Sequence, residues 1–215
     1  MSMAKIGVDM ETRIWTIGHS SHTYERFHSL LEQAGVTAIA DVRSAPFSRH
    51  FPQYNLEELK EHLRKDGIAY SFLGKELGGR PTGKSFYSEG VANYALMAAR
   101  KEFRIGLERV IAGAQSYRIA LMCSEHNPLD CHRCLLVGRA LKERGLAVLH
   151  VLSDGRCRSQ SHVEEHLLAE AGVDQRQSDF LASTEERLAH AYSERARKVA
   201  FSIDPSPRLS KASSG

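Results

Sequence analysis

Short apolar runs alternate with longer segments of helical periodicity through most of the chain. Residues 13–17 (RIWTI) read as a buried strand that ends in Gly18-His19-Ser20. Phe27, Leu30, Leu31 and Ala34 then fall at i, i+3, i+4 and i+7, an apolar stripe with Thr23 placed to cap the helix and Gly35 placed to stop it. The run 36–40 (VTAIA) is a second strand and ends in Asp41-Val42-Arg43. Asn55 and Glu58 have capping-box spacing ahead of Leu56, Leu59 and Leu63, which mark a second helix, and 68–73 is a third strand.

Val91, Tyr94, Ala95, Ala98 and Ala99, followed by Phe103, Leu107, Val110 and Ile111, predict one long helix or two shorter ones. Strands are expected at 117–123 and 147–152, with a helix between them, and Ser161 with Glu164 could cap a further helix through Leu167, Leu168 and Ala171. This alternation predicts an α/β fold, a mainly parallel sheet of about five strands flanked by helices. We expect one α/β domain over 13–172, an appended helical segment over 173–200 and a flexible tail over 201–215.

In such a sheet the carboxyl ends of the strands and the amino ends of the next helices share one crevice, where ligands bind. The stretch 119–139 (IALMCSEHNPLDCHRCLLVGR) has this form: a strand closing at Cys123, a polar loop, and a helix expected to open at Cys131. Cys123, Glu125, Cys131, His132 and Arg133 are therefore the candidate catalytic residues. At a helix start, beside Arg133 or a protonated His132, the Cys131 thiol is expected to be held as a thiolate. Gly18, His19, Ser20, Asp41, Arg43 and Arg80, from the other strand ends and from the glycine-rich basic loop at 77–84, are candidate substrate-binding residues. Their guanidinium groups suit an anionic small molecule, a nucleotide or a nucleic acid.

Three further readings use the same cysteines. Cys131 and Cys134 match the C-x-x-C pattern of thioredoxin-like oxidoreductases. Cys123 and Cys131, with Cys134 and His132 or Glu125, could ligate zinc or iron, although the spacing C-x7-C-x2-C belongs to no standard structural zinc site. A non-catalytic module that senses a metal or a nucleotide through the same crevice is the third.

Composition narrows these choices only a little. The formal net charge of +3 is compatible with an anionic ligand but short of a dense nucleic-acid-binding patch. Of four cysteines, three lie between Cys123 and Cys134, which is unlike a spread disulfide framework, and no apolar signal segment is evident, so reduced thiols and a cytoplasmic location are expected. No apolar run reaches the roughly 18–20 residues that span a bilayer, and no membrane partner is expected.

Gly18-His19-Ser20, Asp41-Val42-Arg43 with Pro46 and Ser48, Leu77-Gly78-Gly79-Arg80, and Cys123-x-Glu125-x-x-Pro128-x-x-Cys131-His132-Arg133 together resemble the family called domain of unknown function 488, over about residues 14–168. The resemblance implies a compact α/β domain with a site built from those motifs, and no established reaction. A weaker likeness to rhodanese-type sulfurtransferases rests on Asp41-Val42-Arg43 and Cys123 and implies sulfur transfer. The loop after Cys123 is longer than in that family, and its Gly-His-Ile-Pro-Gly segment is absent.

Overall fold

A computed structural model describes residues 12–171 and 183–203. Six strands form one sheet in the order β3-β2-β6-β1-β7-β8, from β1 (Arg13–Gly18), β2 (Ala38–Asp41), β3 (Ala69–Phe72), β6 (Ile119–Cys123), β7 (Ala147–Val151) and β8 (Cys157–Ser159). All pairings are parallel except β7 with β8, which is antiparallel. The α/β expectation therefore holds, with a short antiparallel edge strand added that the sequence did not suggest. A separate two-stranded hairpin, β4 (Tyr87–Ser88) and β5 (Val91–Ala92), precedes α4 (Tyr94–Ala98) and α5 (Lys101–Gly113).

Side chains alternate across a strand, so each strand feeds both faces of the sheet. Ile119, Leu121 and Cys123 of β6 pack with Leu107, Val110 and Leu141 on one face, against α5 and α6 (Arg139–Glu143). Ala120 and Met122 pack on the other with Phe27, Leu31, Leu59 and Leu63, from α1 (Tyr24–Ala34) and α2 (Leu56–Lys65). A third cluster seats α7 (Gln160–Glu170) and α8 (Thr184–Val199) over Leu129, Cys134 and Leu135.

Helix ends follow the sequence with two exceptions. Thr23 accepts a bond from the Arg26 N–H and Gly35 takes the left-handed conformation, as expected. Asn55 makes no cap bond; its side-chain oxygen is taken by the Ser48 N–H at 2.7 Å, which fixes the preceding loop instead. The third cap falls on Ser159 rather than Ser161, because the helix begins at Gln160. The region from Val91 resolves into the hairpin and two helices, the first capped by Asn93. Residues 1–11 and 172–182 lie outside the described residues, as does all of the expected tail beyond residue 203. Residues 201–203 run against the hairpin: the Ala92 N–H donates to the Phe201 carbonyl and the Ile203 N–H to that of Gly90, each at 2.9 Å.

Candidate metal centre and its cavity

The register places Gly18 opposite Cys123 and Asp41 opposite Met122, so three central strands end at one level. The loops beyond them are then tied together. The His19 N–H donates to the Cys123 carbonyl at 2.9 Å and the Ser20 N–H to that of Ser124 at 3.0 Å. A Cβ on Gly18 would stand 1.8 Å from the Glu125 carbonyl oxygen, so only glycine lets the 124–126 segment cross there. Gly18 thus positions the loop and is not a ligand wall. Arg133 has the same duty. Fully buried, it donates to the Glu125 carbonyl at 2.6 Å and the His126 carbonyl at 3.0 Å, and it does not line the cavity described below.

After this loop the chain turns into a helix in an unexpected way. Cys131 is extended (φ −138°, ψ 140°), and residues Arg133–Gly138 form a π-helical turn before α6. Cys131 caps that turn: its carbonyl accepts the Cys134 and Leu135 N–H groups, each at 3.1 Å, and its Sγ accepts the Arg133 N–H at 3.4 Å. The wide turn sends Cys134 to the α7/α8 side, where it is wholly buried beside Gln160 and burial pushes its thiol up to about 12. The C-x-x-C pair is therefore not a dithiol centre, and Cys134 is not part of a ligand set with Cys131.

Cys123, Cys131 and His132 instead converge from strand end, cap and turn. Their Sγ and ring nitrogen atoms lie within 4.8 Å of one another, and they are the only such group of three among the described residues. His132 Nδ1 is 3.7 Å from each sulfur. The other ring nitrogen, Nε2, donates to the Val42 carbonyl at 2.8 Å, which fixes the tautomer and aims the Nδ1 lone pair at the thiols. Gly79 lies flat on the ring, since a Cβ there would come within 2.8 Å of it.

The charge within the group does not sit where the sequence placed it. The adjacent Cys131 thiol favours an anion on Cys123, and His132 and Arg133 add positive charge, so Cys123 is held well below the ordinary thiol range. Burial and the neighbouring Cys123 thiolate push Cys131 well above it. The direction favours Cys123 as the more acidic sulfur of the pair, whereas the helix start had pointed to Cys131: burial and an anionic neighbour act against Cys131. Burial pulls His132 down, but the Cys123 thiolate and the Val42 bond outweigh it and leave His132 raised. Partial burial, then Cys123, raises Glu125.

The group opens on a cavity of about 450 Å³, whose wall includes Arg43, Arg80, Tyr94, Ser124, Glu125 and Phe201. A larger cavity of about 520 Å³ lies between the hairpin, α4, α6 and α8 and shares Tyr94 with it, but contains none of Cys123, Cys131 and His132. The smaller cavity is the candidate site. Of the predicted substrate-binding residues, Arg43 and Arg80 line it; Gly18, His19, Ser20 and Asp41 do not. Asp41 shares the α1/α2 face with Ile39, opposite to the Cys123 face. It accepts bonds from the Arg43 backbone at 3.0 Å, from Nε at 2.9 Å and from Nη2 at 2.6 Å, and from the Tyr70 hydroxyl at 2.8 Å. His19 stacks on Tyr54 at 4.1 Å between ring centroids. Its Nδ1–H donates to the Ser20 carbonyl, leaving Nε2 to face the Ser124 hydroxyl at 3.1 Å and Arg43 Nη1 at 3.4 Å. Asp41 and His19 thus hold two residues of the cavity wall from behind.

Tyr94, Ser124, Val199 and Phe201 are wall residues that sequence reasoning passed over. Ser124 follows Cys123 directly and could have been found from that; nothing local marks the others.

A family model described as a domain of unknown function, DUF488, matches residues 23–140, more than half of the chain. No curated protein and no solved structure gives a significant match. The matched stretch is shorter than the one suggested by the motifs, and it holds Arg43, Arg80, Cys123, Cys131 and His132 while leaving out His19, Val199 and Phe201. The chain belongs to the DUF488 family.

Proposed function

We propose that Cys123, Cys131 and His132 hold one zinc ion, and that the chain is a metal-dependent enzyme acting hydrolytically on a small anionic molecule. The supporting observation is the pair of equal 3.7 Å separations from His132 Nδ1 to the two sulfurs. That is long for a hydrogen bond. It is close to the ligand-to-ligand edge of about 3.6 Å that a tetrahedral site requires with Zn–S near 2.3 Å and Zn–N near 2.0–2.1 Å. The His132 bond to Val42 is the usual outer partner of a metal-bound imidazole. Three protein ligands beside a cavity leave a fourth position open, the mark of catalytic rather than structural zinc.

Bound there, zinc supplies a Lewis acid and a water of lowered pKa. The chain supplies the remainder. Glu125 stands at the cavity wall, its carboxyl raised by partial burial and the neighbouring Cys123, and is placed to accept and return a proton. Arg80 and the outward part of Arg43 hold the anionic group. Elemental analysis of freshly purified protein is the test. About one zinc per chain, lost in Cys131→Ser, is expected; iron in its place would change the metal and keep the site.

A second reading has a specific observation behind it: Cys123 lines the cavity with His132 Nδ1 3.7 Å from its sulfur, surroundings that lower its pKa. Without a metal, Cys123 is a thiolate nucleophile facing the same anionic substrate, the arrangement that rhodanese-like sulfur transfer would need. Metal-free protein whose Cys123 alkylates rapidly at neutral pH would favour this reading.

A further inference from the structure

Residues beyond the family-matched stretch complete the cavity. The match ends at residue 140, yet Val199 and Phe201 line the same cavity as the Cys/His group. Their placement is built rather than incidental. After α8, Phe201 and Ile203 hydrogen-bond to the hairpin, Val91 bridges Ser202 in antiparallel fashion, and the C-terminal segment becomes a third strip beside β5. The Tyr87 hydroxyl donates to the Pro81 carbonyl at 2.9 Å, which ties the hairpin to the loop carrying Arg80.

Arg80 meets Phe201 there. Its backbone is anchored within the matched stretch, where the N–H donates to Ser44 Oγ at 2.9 Å and the adjacent Gly79 lies on the His132 ring. Its guanidinium lies over the Phe201 ring, 4.7 Å from the centroid. A guanidinium stacked on a ring keeps its edge donors free, unlike one engaged by a carboxylate. Arg43 is the contrast: Asp41 takes its Nε and Nη2. Arg80 is therefore the less committed cation of the two, and an aromatic side chain from outside the family stretch sets its direction.

We propose that Phe201, through Arg80, is the specificity-determining residue of this cavity, selecting carboxylate- or phosphate-bearing molecules over neutral ones of the same size. The proposal rests on the reading that a ligand enters this cavity, and it holds whether the centre carries a metal or a bare thiolate. Selection of this kind is a ratio: an anionic probe should reach the centre faster, relative to a matched neutral probe, than it does in free solution.

The experiment follows the metal content of purified full-length protein. If metal is present, its rate of removal is compared for dipicolinate, an anion, and 1,10-phenanthroline, a neutral chelator. If it is absent, alkylation of Cys123 is compared for iodoacetate and iodoacetamide, normalised to glutathione. In either arm Phe201→Ala, Phe201→Leu and Arg80→Ala should lower the anion-to-neutral ratio by about two- to fivefold, the factor equivalent to a cation–π contact of about 0.5–1 kcal/mol. Phe201→Tyr should keep it. Phe201→Leu preserves apolar bulk, so a fall there separates the ring from mere packing. An unchanged ratio in either Arg80→Ala or Phe201→Leu would overturn the proposal, while the metal content reports separately on the zinc reading.

Discussion

His132 donates its Nε2 proton to the carbonyl oxygen of Val42 at 2.8 Å, and this one bond decides which nitrogen the two cysteines meet. Val42 is the first residue after β2, so the end of a neighbouring strand orients the imidazole of the turn after β6. Nδ1 has no freedom to turn away.

Removing Nδ1 should therefore cost the metal and leave the fold standing. His132→Gln can still reach the Val42 carbonyl with its amide but offers no ring nitrogen to the thiols. Metal affinity, measured by competition with a chromogenic chelator, is expected to fall by at least about 10–100-fold, the range typical even of losses in the outer partners. Retention of full affinity would exclude His132 as a ligand.

Two histidines hold the sheet only when neutral. His150 is fully buried between the Thr16 hydroxyl at 2.7 Å and Gln160 Oε1 at 2.8 Å, and burial, then Arg133, lowers it to about 4. Burial, then Arg43, lowers His19 to about 4 as well. Because the folded values lie below the ordinary histidine value of 6.5, the unfolded chain binds more protons between those limits. The stability they contribute is present above about pH 6.5 and lost as the pH falls towards 4, by a few kcal/mol in total. Urea denaturation across this window checks it. His150→Gln should flatten part of the slope, and a slope that survives in the double variant with His19→Gln would assign it to other groups.

Much of the architecture was legible because parallel strands and amphipathic helices leave strong periodic signals, and the strand ends at Gly18, Asp41 and Cys123 could be read as one rim. The face of the sheet on which each side chain lies could not. Ile119 to Cys123 is apolar at every position, as buried parallel strands are, so alternation leaves no trace in residue type and Cys123 and Asp41 could not be assigned to opposite faces. The C-x-x-C pattern could not be settled locally for a related reason. It presumes an α-helical turn, whereas the π-helical turn carries Cys134 away from Cys131. Phe201 reaches the cavity through pairing with the hairpin, a relation that no local pattern records.

Gly18→Ala tests the crossing of the two loops. The added methyl would overlap the Glu125 carbonyl, and the Arg133 nitrogen bonded to that same oxygen lies 3.1 Å from the methyl, so neither backbone nor guanidinium can yield cheaply. A loss of about 1–3 kcal/mol, or more, is expected from overpacking. Denaturation gives that loss. The same displacement moves Ser124 and Glu125, so metal affinity should fall with it; an alanine variant of unchanged stability would mean the loop has room that the packing denies it.

Asp41 poses the sharper question, because it is wholly buried and touches no part of the cavity wall except through Arg43. Its carboxylate receives bonds from three nitrogens of Arg43, with Nε reaching both oxygens, and one from Tyr70. In Asp41→Asn one oxygen becomes an amide that opposes a guanidinium donor and leaves that cation buried without its partner. Breaking a buried pair in this way costs about 3–5 kcal/mol, mostly as the penalty of the stranded charge. If that is the source of the loss, removing the charge as well should recover a large part of it, so Asp41→Asn combined with Arg43→Met is expected to be more stable than Asp41→Asn alone. Urea midpoints of the three variants decide the matter. A double variant no better than the single one would show that Asp41 stabilises the fold through Tyr70 and the backbone of residue 43, and not through its pairing with the guanidinium.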